Sequence, residues 1–281
     1  MASFSGHIDN MEILARLKTR PMRLIQITDC HLGSTAGESL LGLDTDESLL
    51  DVLKLIGTEE PRLDLAVASG DISNDGGTPS YDRFIARVNK YLPQAPLAWL
   101  EGNHDDPDGM KAILSARPHE KELSLGGWRI ILLNSRIPGE EGGALERLEL
   151  ERLDKILAEH PPSPTFIFMH HQPVPVGSAW VDQYVLANAD DFFAVVDRYK
   201  HVKAIAWGHV HQEFTATRKG VKLFATPSTC VQFAPHSDEF KVDHAMPGYR
   251  WFNLHPDGRI ESEVVRVAER SYGTDFASAG Y

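Results

Sequence analysis

Two cysteines in 281 residues, Cys30 and Cys230, are too few for a disulfide framework, and no C-x-x-C spacing offers structural zinc or thiol redox chemistry. A reducing compartment, the cytoplasm, is therefore expected. Long apolar runs are also lacking. The longest is residues 192–196, and the first twenty residues hold no apolar core of signal-peptide length, so neither export nor membrane insertion is expected. Positive charge is scarce: 28 Lys and Arg against 40 Asp and Glu leave a formal charge of −12. That argues against binding long nucleic acids, which need a basic surface, but leaves a small anionic substrate open. Three hydrolytic signatures are missing as well. Without G-x-S-x-G, H-E-x-x-H or G-K-[ST], there is no serine elbow, no helix-borne zinc site and no phosphate loop.

What remains is an ordinary globular composition, 42% hydrophobic and 24% charged, at a length that one large α/β domain can fill. The pattern predicts a short extension over residues 1–20, then a single domain over 21–281 with a tail from about 268. Apolar runs of strand length occur at 24–29, 63–68, 96–100, 129–133, 166–169 and 202–207. Helical periodicity lies between them: Leu49, Leu50, Leu53 and Ile56, capped by Thr45 or Asp46 and closed by Gly57; then Phe84, Val88 and Leu92 behind Thr78-Pro79; then 110–114, 145–157 and 189–199. Beyond 213 the helices stop. Strand-like segments at 213–218, 222–225, 249–254 and 260–267 are expected to be antiparallel, with a long Pro-, Ser- and His-containing loop over 226–247.

Five of the strand ends carry unusual punctuation: Asp29-x-His31, Gly70-Asp71, Gly102-Asn103-His104-Asp105, His170-His171 and Gly208-His209-x-His211. In α/β sheets ligands bind outside the carboxyl ends of strands, so these segments are expected to converge on one rim. In an extended chain Asp29 and His31 would share a face about 6 to 7 Å apart, as would His209 and His211, a separation that suits a metal ion. Glycines 70, 102 and 208 allow a sharp turn just before the ligands. Carboxylate, amide and imidazole donors without thiolate favour Mn²⁺ or Fe, with Zn²⁺ also possible. Asp29, His31, Asp71, Asn103, His170, His209 and His211 are too many donors for one ion. Two ions roughly 3.5 to 4 Å apart sharing a carboxylate are the usual solution, and they suit phosphoryl transfer. Asp105 could cap a helix or orient a catalytic His; Asn188 could contact phosphate or sugar, or cap the helix at Ala189. Four tryptophans fall in or beside strands, whereas Trp180 lies in a loop just after the His pair.

In this order, D-x-H, G-D, G-N-H-D, H-H before Pro and G-H-x-H resemble the calcineurin-like metallophosphoesterase superfamily. With Asn188 and A-T-P-S-T-C-V-Q-F at 225–233, the likeness extends to its bacterial class III cyclic AMP phosphodiesterases. The resemblance implies a four-layer α/β/β/α sandwich. It implies two divalent ions, one held by Asp29, His31, Asp71 and His211 and the other by Asp71, Asn103, His170 and His209, with Asp71 bridging and His171 a neighbour. It further implies hydrolysis of 3′,5′-cyclic AMP to 5′-AMP, ending a second-messenger signal. Asp71, Asn103 and His104 would be catalytic, His104 protonating the leaving 3′ oxygen, and His31, Asn103, His104, Asn188 and His211 would contact substrate. The rivals are another phosphoesterase of this type and a scaffold that kept the fold without turnover. Against the scaffold, no ligand position is missing.

Overall fold

The central strands read as nearly continuous apolar runs because both their faces are covered. The computed structural model describes residues 20–114, 121–159 and 162–280; apart from Arg20, the extension expected over 1–20 lies outside them. In chain order the strands are β1 (Met22–Ile27), β2 (Ser39–Leu40), β3 (Leu43–Asp44), β4 (Leu65–Ser69), β5 (Leu97–Leu100), β6 (Glu122–Leu125), β7 (Trp128–Leu132) and β8 (Thr165–Phe168). They continue as β9 (Val202–Trp207), β10 (Phe214–Arg218), β11 (Val221–Ala225), β12 (Gln232–Phe233), β13 (Val242–Asp243), β14 (Gly248–Leu254) and β15 (Ile260–Arg266). The helices are α1 (Thr45–Glu59), α2 (Thr78–Tyr91), α3 (Pro107–Leu114), α4 (Arg147–Ala158), α5 (Ala179–Asp182) and α6 (Ala189–Val196).

Two large sheets form, in the orders β15-β14-β1-β4-β5 and β10-β11-β9-β8-β7-β6, beside the two-stranded pairs β2-β3 and β12-β13. Alternation along each strand sorts the core into three clusters. Leu24 and Val67 from one sheet meet Ile130, Phe166 and Phe168 from the other, and Phe252 stands edge-on to Phe166 at 4.9 Å between ring centroids. Ile25, Ile27 and Ala66 face the other way, onto Leu49 and Val52 of α1 and Phe84 and Val88 of α2. In the second sheet Ile131, Ile167 and Ile205 face Leu153 and Ile156 of α4 and Phe192 and Val196 of α6. Helix, sheet, sheet, helix is thus the order of layers, as the resemblance implies. Each large side chain buried in these clusters contributes about 1.5–3 kcal/mol of hydrophobic free energy, so packing between layers dominates the fold's stability.

Several local expectations are corrected. Helix α1 runs through Gly57 to Glu59, and Asp44 rather than Thr45 or Asp46 caps it, accepting the Glu47 amide at 3.0 Å. Gly57 sits where a Cβ would come within 3.2 Å of the Tyr91 carbonyl, so it serves the close approach of α2 and not a helix end. Strand β11 pairs parallel to β9 and antiparallel only to β10, because the β10–β11 hairpin returns the chain beside β9 in the same direction. The 226–247 segment contains the β12–β13 pair, and 226–233 are all buried. The tail lies along α1: Arg270 pairs with Glu47 and Asp51, Tyr272 donates to Asp51 at 3.0 Å, and the Asp275 amide donates to Leu41 at 2.7 Å. No described helix is long and apolar enough to cross a membrane.

Candidate metal centre

The five marked segments leave the carboxyl ends of β1, β4 and β5 in one sheet and of β8 and β9 in the other, and backbone hydrogen bonds stitch them together. The Asp29 amide donates to Gly70 at 3.0 Å, the His31 amide to Asp71 at 2.9 Å, and the Gly208 amide to His170 at 3.1 Å. Across the seam, the His209 amide donates to both carboxylate oxygens of Asp29, at 3.0 and 3.1 Å.

The extended geometry expected of Asp29-x-His31 and His209-x-His211 does not hold. Strand β1 ends at Ile27 and β9 at Trp207. Asp29, His31, Asp71, His209 and His211 all have positive φ, between 46° and 63°. Side chains with a Cβ adopt that left-handed region at a cost of about 1–3 kcal/mol each, so the surrounding hydrogen bonds must hold them there. The glycines work mainly by close approach. A Cβ on Gly102 would lie 2.1 Å from Asp71 Oδ1, and one on Gly208 would lie 2.1 Å from Thr28 Oγ1 and 2.7 Å from Asp29 Oδ2; among 70, 102 and 208, only Gly70 turns at positive φ.

These turns aim potential ligands at one place. Four clusters each have one donor atom per residue within 4.8 Å of the others: Asp29, His31 and His211; Asp29, Asp71 and His170; His31, Asp71 and His104; and His170, His171 and His209. Both aspartates recur in two clusters. His170 Nδ1 donates to the Ser69 carbonyl and His211 Nδ1 to the Val231 carbonyl, each at 2.9 Å, which fixes each ring with the Nε2 lone pair turned inward. His31 Nδ1 is 3.1 Å from Asn74 Oδ1, and His31 Nε2 faces His211 Nε2 at 3.2 Å. His170 Nε2 lies 3.0 Å from Asn103 Oδ1 and 3.2 Å from Asp71 Oδ2. His209 Nε2 is buried without a hydrogen-bond partner.

A buried polar atom left unmatched costs about 1–3 kcal/mol, and facing imidazole nitrogens repel unless a cation or proton lies between them. The donor set therefore fits divalent cations. The electrostatics of His31 and His209 point the same way. Burial pushes His31 down to about 3 and His209 well below the usual histidine range, holding both rings neutral as ligands must be. Burial alone would lower His170 too, but the Asp71 carboxylate outweighs it and raises His170 to about 9. Asp29 and Asp71 stay below the usual carboxylate range despite burial, because His211 and His170 respectively stabilise their charged forms.

The neighbours separate into roles. His171 has both nitrogens engaged, Nδ1 accepting from Ser135 Oγ at 2.8 Å and Nε2 donating to the Glu141 carbonyl at 3.2 Å, which suits a ring that supports the rim rather than one that ligates. The His104 amide donates to Asp71 Oδ1 and its Nδ1 donates to the Asn74 carbonyl, both at 2.9 Å. Burial would lower the His104 pKa, but Asp71, that carbonyl and Glu141 raise it above the ordinary value. Asp105 fits neither expectation. It accepts from the amides of Gly102 at 2.9 Å, Ser73 at 3.0 Å and Ile72 at 3.3 Å, tying the loops after β4 and β5 together, while Asp106 accepts the Gly109 amide at the start of α3. Burial, reinforced by Asp71, raises Asp105 to about 7.

A cleft of about 460 Å³ opens beside this centre, with Asn74, His104, Glu141, Tyr184 and His209 among its lining residues. Of the expected substrate contacts, His104 alone lines it; His31 and His211 are buried, and Asn103 is half-buried. Asn188 is not among the residues that line it. Its side chain accepts the Leu145 amide at 2.9 Å and donates to the Leu145 carbonyl at 2.8 Å, so it braces the 145 loop, and it makes no capping bond to α6. Sequence reasoning missed Asn74, Glu141 and Tyr184. Only Asn74, in the polar S-N-D stretch after Asp71, carried a signal that could have been read.

Residues 22–213 match the family model described as calcineurin-like phosphoesterase. The chain belongs to that family. Among its calcineurin-like relatives, the 3′,5′-cyclic adenosine monophosphate phosphodiesterase CpdA of Pseudomonas aeruginosa is 42% identical over 259 residues, covering 92% of this chain and 94% of the relative. The enzyme of the same name from Escherichia coli (strain K12) is 39% identical over 263 residues, covering 92% and 95%. A dimetal phosphatase from Danio rerio shares the calcineurin-like fold at a TM-score of 0.60 and 18% identity, covering 89% of this chain and 100% of that one. The purple acid phosphatase PPD1 of yellow lupin aligns with a TM-score of 0.62 at 16% identity, over 88% of this chain and 54% of that one. As a calcineurin-like phosphoesterase the chain is a hydrolase of a family that uses a dinuclear metal centre, and its clustered aspartates and histidines are candidate ligands for one.

Proposed function

We propose that this chain opens 3′,5′-cyclic AMP to 5′-AMP in the cytoplasm and so ends a second-messenger signal. The observation that carries the reading is the convergence of all seven expected donors beneath a cleft of nucleotide-compatible size, in a chain 42% identical to a cyclic AMP phosphodiesterase. Asp29, His31, Asp71 and His211 would hold one ion, and Asp71, Asn103, His170 and His209 the other. Oxygen and nitrogen donors without thiolate suit Mn²⁺ or Fe, and Zn²⁺ is admissible. When bound, the ions would supply charge neutralisation at phosphate and an activated water.

The chain's own residues do the rest. Asp71 anchors the His104 backbone at 2.9 Å, and the Asn74 carbonyl fixes its ring through Nδ1, so Nε2 is the atom that hands a proton to the departing 3′ oxygen. Asn74 also orients His31 through its amide oxygen at 3.1 Å, so one residue sets the geometry of a ligand and of the acid. The test is product analysis with metal-loaded protein and a panel of phosphate esters. Cyclic AMP is expected to give 5′-AMP as sole product, with linear DNA untouched. Formation of 3′-AMP, or turnover of another ester with cyclic AMP left intact, would reduce the assignment to the family alone.

A further inference from the structure

The cleft has two chemically distinct halves. Its polar side is lined by Asn74, His104, Glu141 and His209, whereas the other side is built from Leu40, Trp180, Tyr184, Phe233 and Phe240. A phosphate and its ribose need only the first half. Trp180 stands edge-on to Phe233 at 4.9 Å and to Phe240 at 5.1 Å between ring centroids, and Phe233 stacks at 4.3 Å on the ring of His211. The aromatic wall is thereby coupled to the candidate ligands. Tyr184 stands edge-on to His209 at 5.9 Å, so the apolar half begins directly beside the polar one.

The wall is fixed from behind. The Asp182 carboxylate accepts the Val176 amide at 2.7 Å and the Gly177 amide at 2.9 Å, and Gln172 donates to the Val181 carbonyl at 2.9 Å, which pins α5, the short helix that carries Trp180 and precedes Tyr184. Trp180 and Tyr184, four residues apart, both remain half-buried and line the cleft.

We infer that Trp180 and Tyr184, backed by Phe233 and Phe240, form the nucleobase subsite, which takes the purine of a cyclic nucleotide while the phosphate lies on the metal side. This deepens the proposed function and rests on it. Stacking a base on an aromatic side chain is worth enough to raise KM about 10- to 100-fold when the ring is removed. The discriminating comparison is between cyclic AMP and a ribose 3′,5′-cyclic phosphate lacking the base. In Tyr184→Ala and Trp180→Leu, the ratio of kcat/KM for cyclic AMP to that for the base-free ester is expected to fall about 10- to 100-fold, chiefly through KM. Both substrates are measured on one preparation, so partial misfolding cancels in the ratio. An unchanged ratio in both variants, with the unmutated protein active on cyclic AMP, would overturn the subsite and leave the phosphodiesterase reading standing. Inactivity of the unmutated, metal-loaded protein on cyclic AMP while other esters turn over would overturn both.

Discussion

His104 shows how much of the chemistry rests on single side chains. Its ring is fixed at Nδ1 by Asn74, and its backbone is tied to the carboxylate expected to be shared between the ions. His104→Ala is expected to retain two metal ions per chain by metal analysis while losing about 10²- to 10⁴-fold in rate on cyclic AMP, the usual worth of a general acid. The loss should shrink with a p-nitrophenyl ester, whose leaving group needs no proton. Equal losses on the two would remove the acid role. The candidate ligands were legible in the sequence because aspartate, asparagine and histidine after apolar strands have few other reasons to be there. Glu141 was not, and Asn74 offered only its polar S-N-D setting, since each matters through a carbonyl, a ring contact or a charge that depends on how loops distant in sequence fold back. Asn188 was singled out in the sequence, and the structure bonds its side-chain amide to the backbone of Leu145.

Loops and strands set the next level of control. Two oxygens of Asp105 take up four donors, the amides of Ile72, Ser73 and Gly102 and the hydroxyl of Tyr81 at 3.2 Å, and so lock the loop carrying Asp71 against the loop carrying Asn103 and His104. Asp105→Asn turns an NH₂ toward some of those donors. It should destabilise the protein by about 1–3 kcal/mol, the cost of unmatched buried groups, and depress turnover by moving both loops. Thermal denaturation checks the first effect, and an unchanged melting temperature would mean the four bonds are dispensable. Elements were largely readable where hydrophobic period and length agreed, as for β1, β4, β8, β9 and the amphipathic α4. Pairing was not: nothing in 221–225 distinguishes a strand parallel to β9 from an antiparallel one, because its neighbours are chosen by the preceding hairpin. The left-handed turns at Asp29, His31, Asp71, His209 and His211 were equally hidden, since only glycine advertises positive φ in a sequence.

At the scale of the whole molecule, the seam between two sheets carries a dense cluster of buried carboxylates and imidazoles that a divalent cation would complete. Protein stripped with a chelator is therefore expected to lose activity and to melt at a lower temperature. Adding Mn²⁺ to about a hundred times its dissociation constant should restore roughly 2.7 kcal/mol. Parallel melting curves with and without the ion measure this, and coincident curves would mean that the folded state gains nothing from metal. The seam has one more consequence. Asp29, Asp71 and Asn103 come from the strands of one sheet, while His170, His209 and His211 come from the other. A chain severed anywhere between Asn103 and His170 would leave an incomplete coordination set on each piece, and neither piece alone would be an enzyme. Turnover would return only when the pieces found each other, so this hydrolase is by construction a two-part device whose activity reports the meeting of its halves.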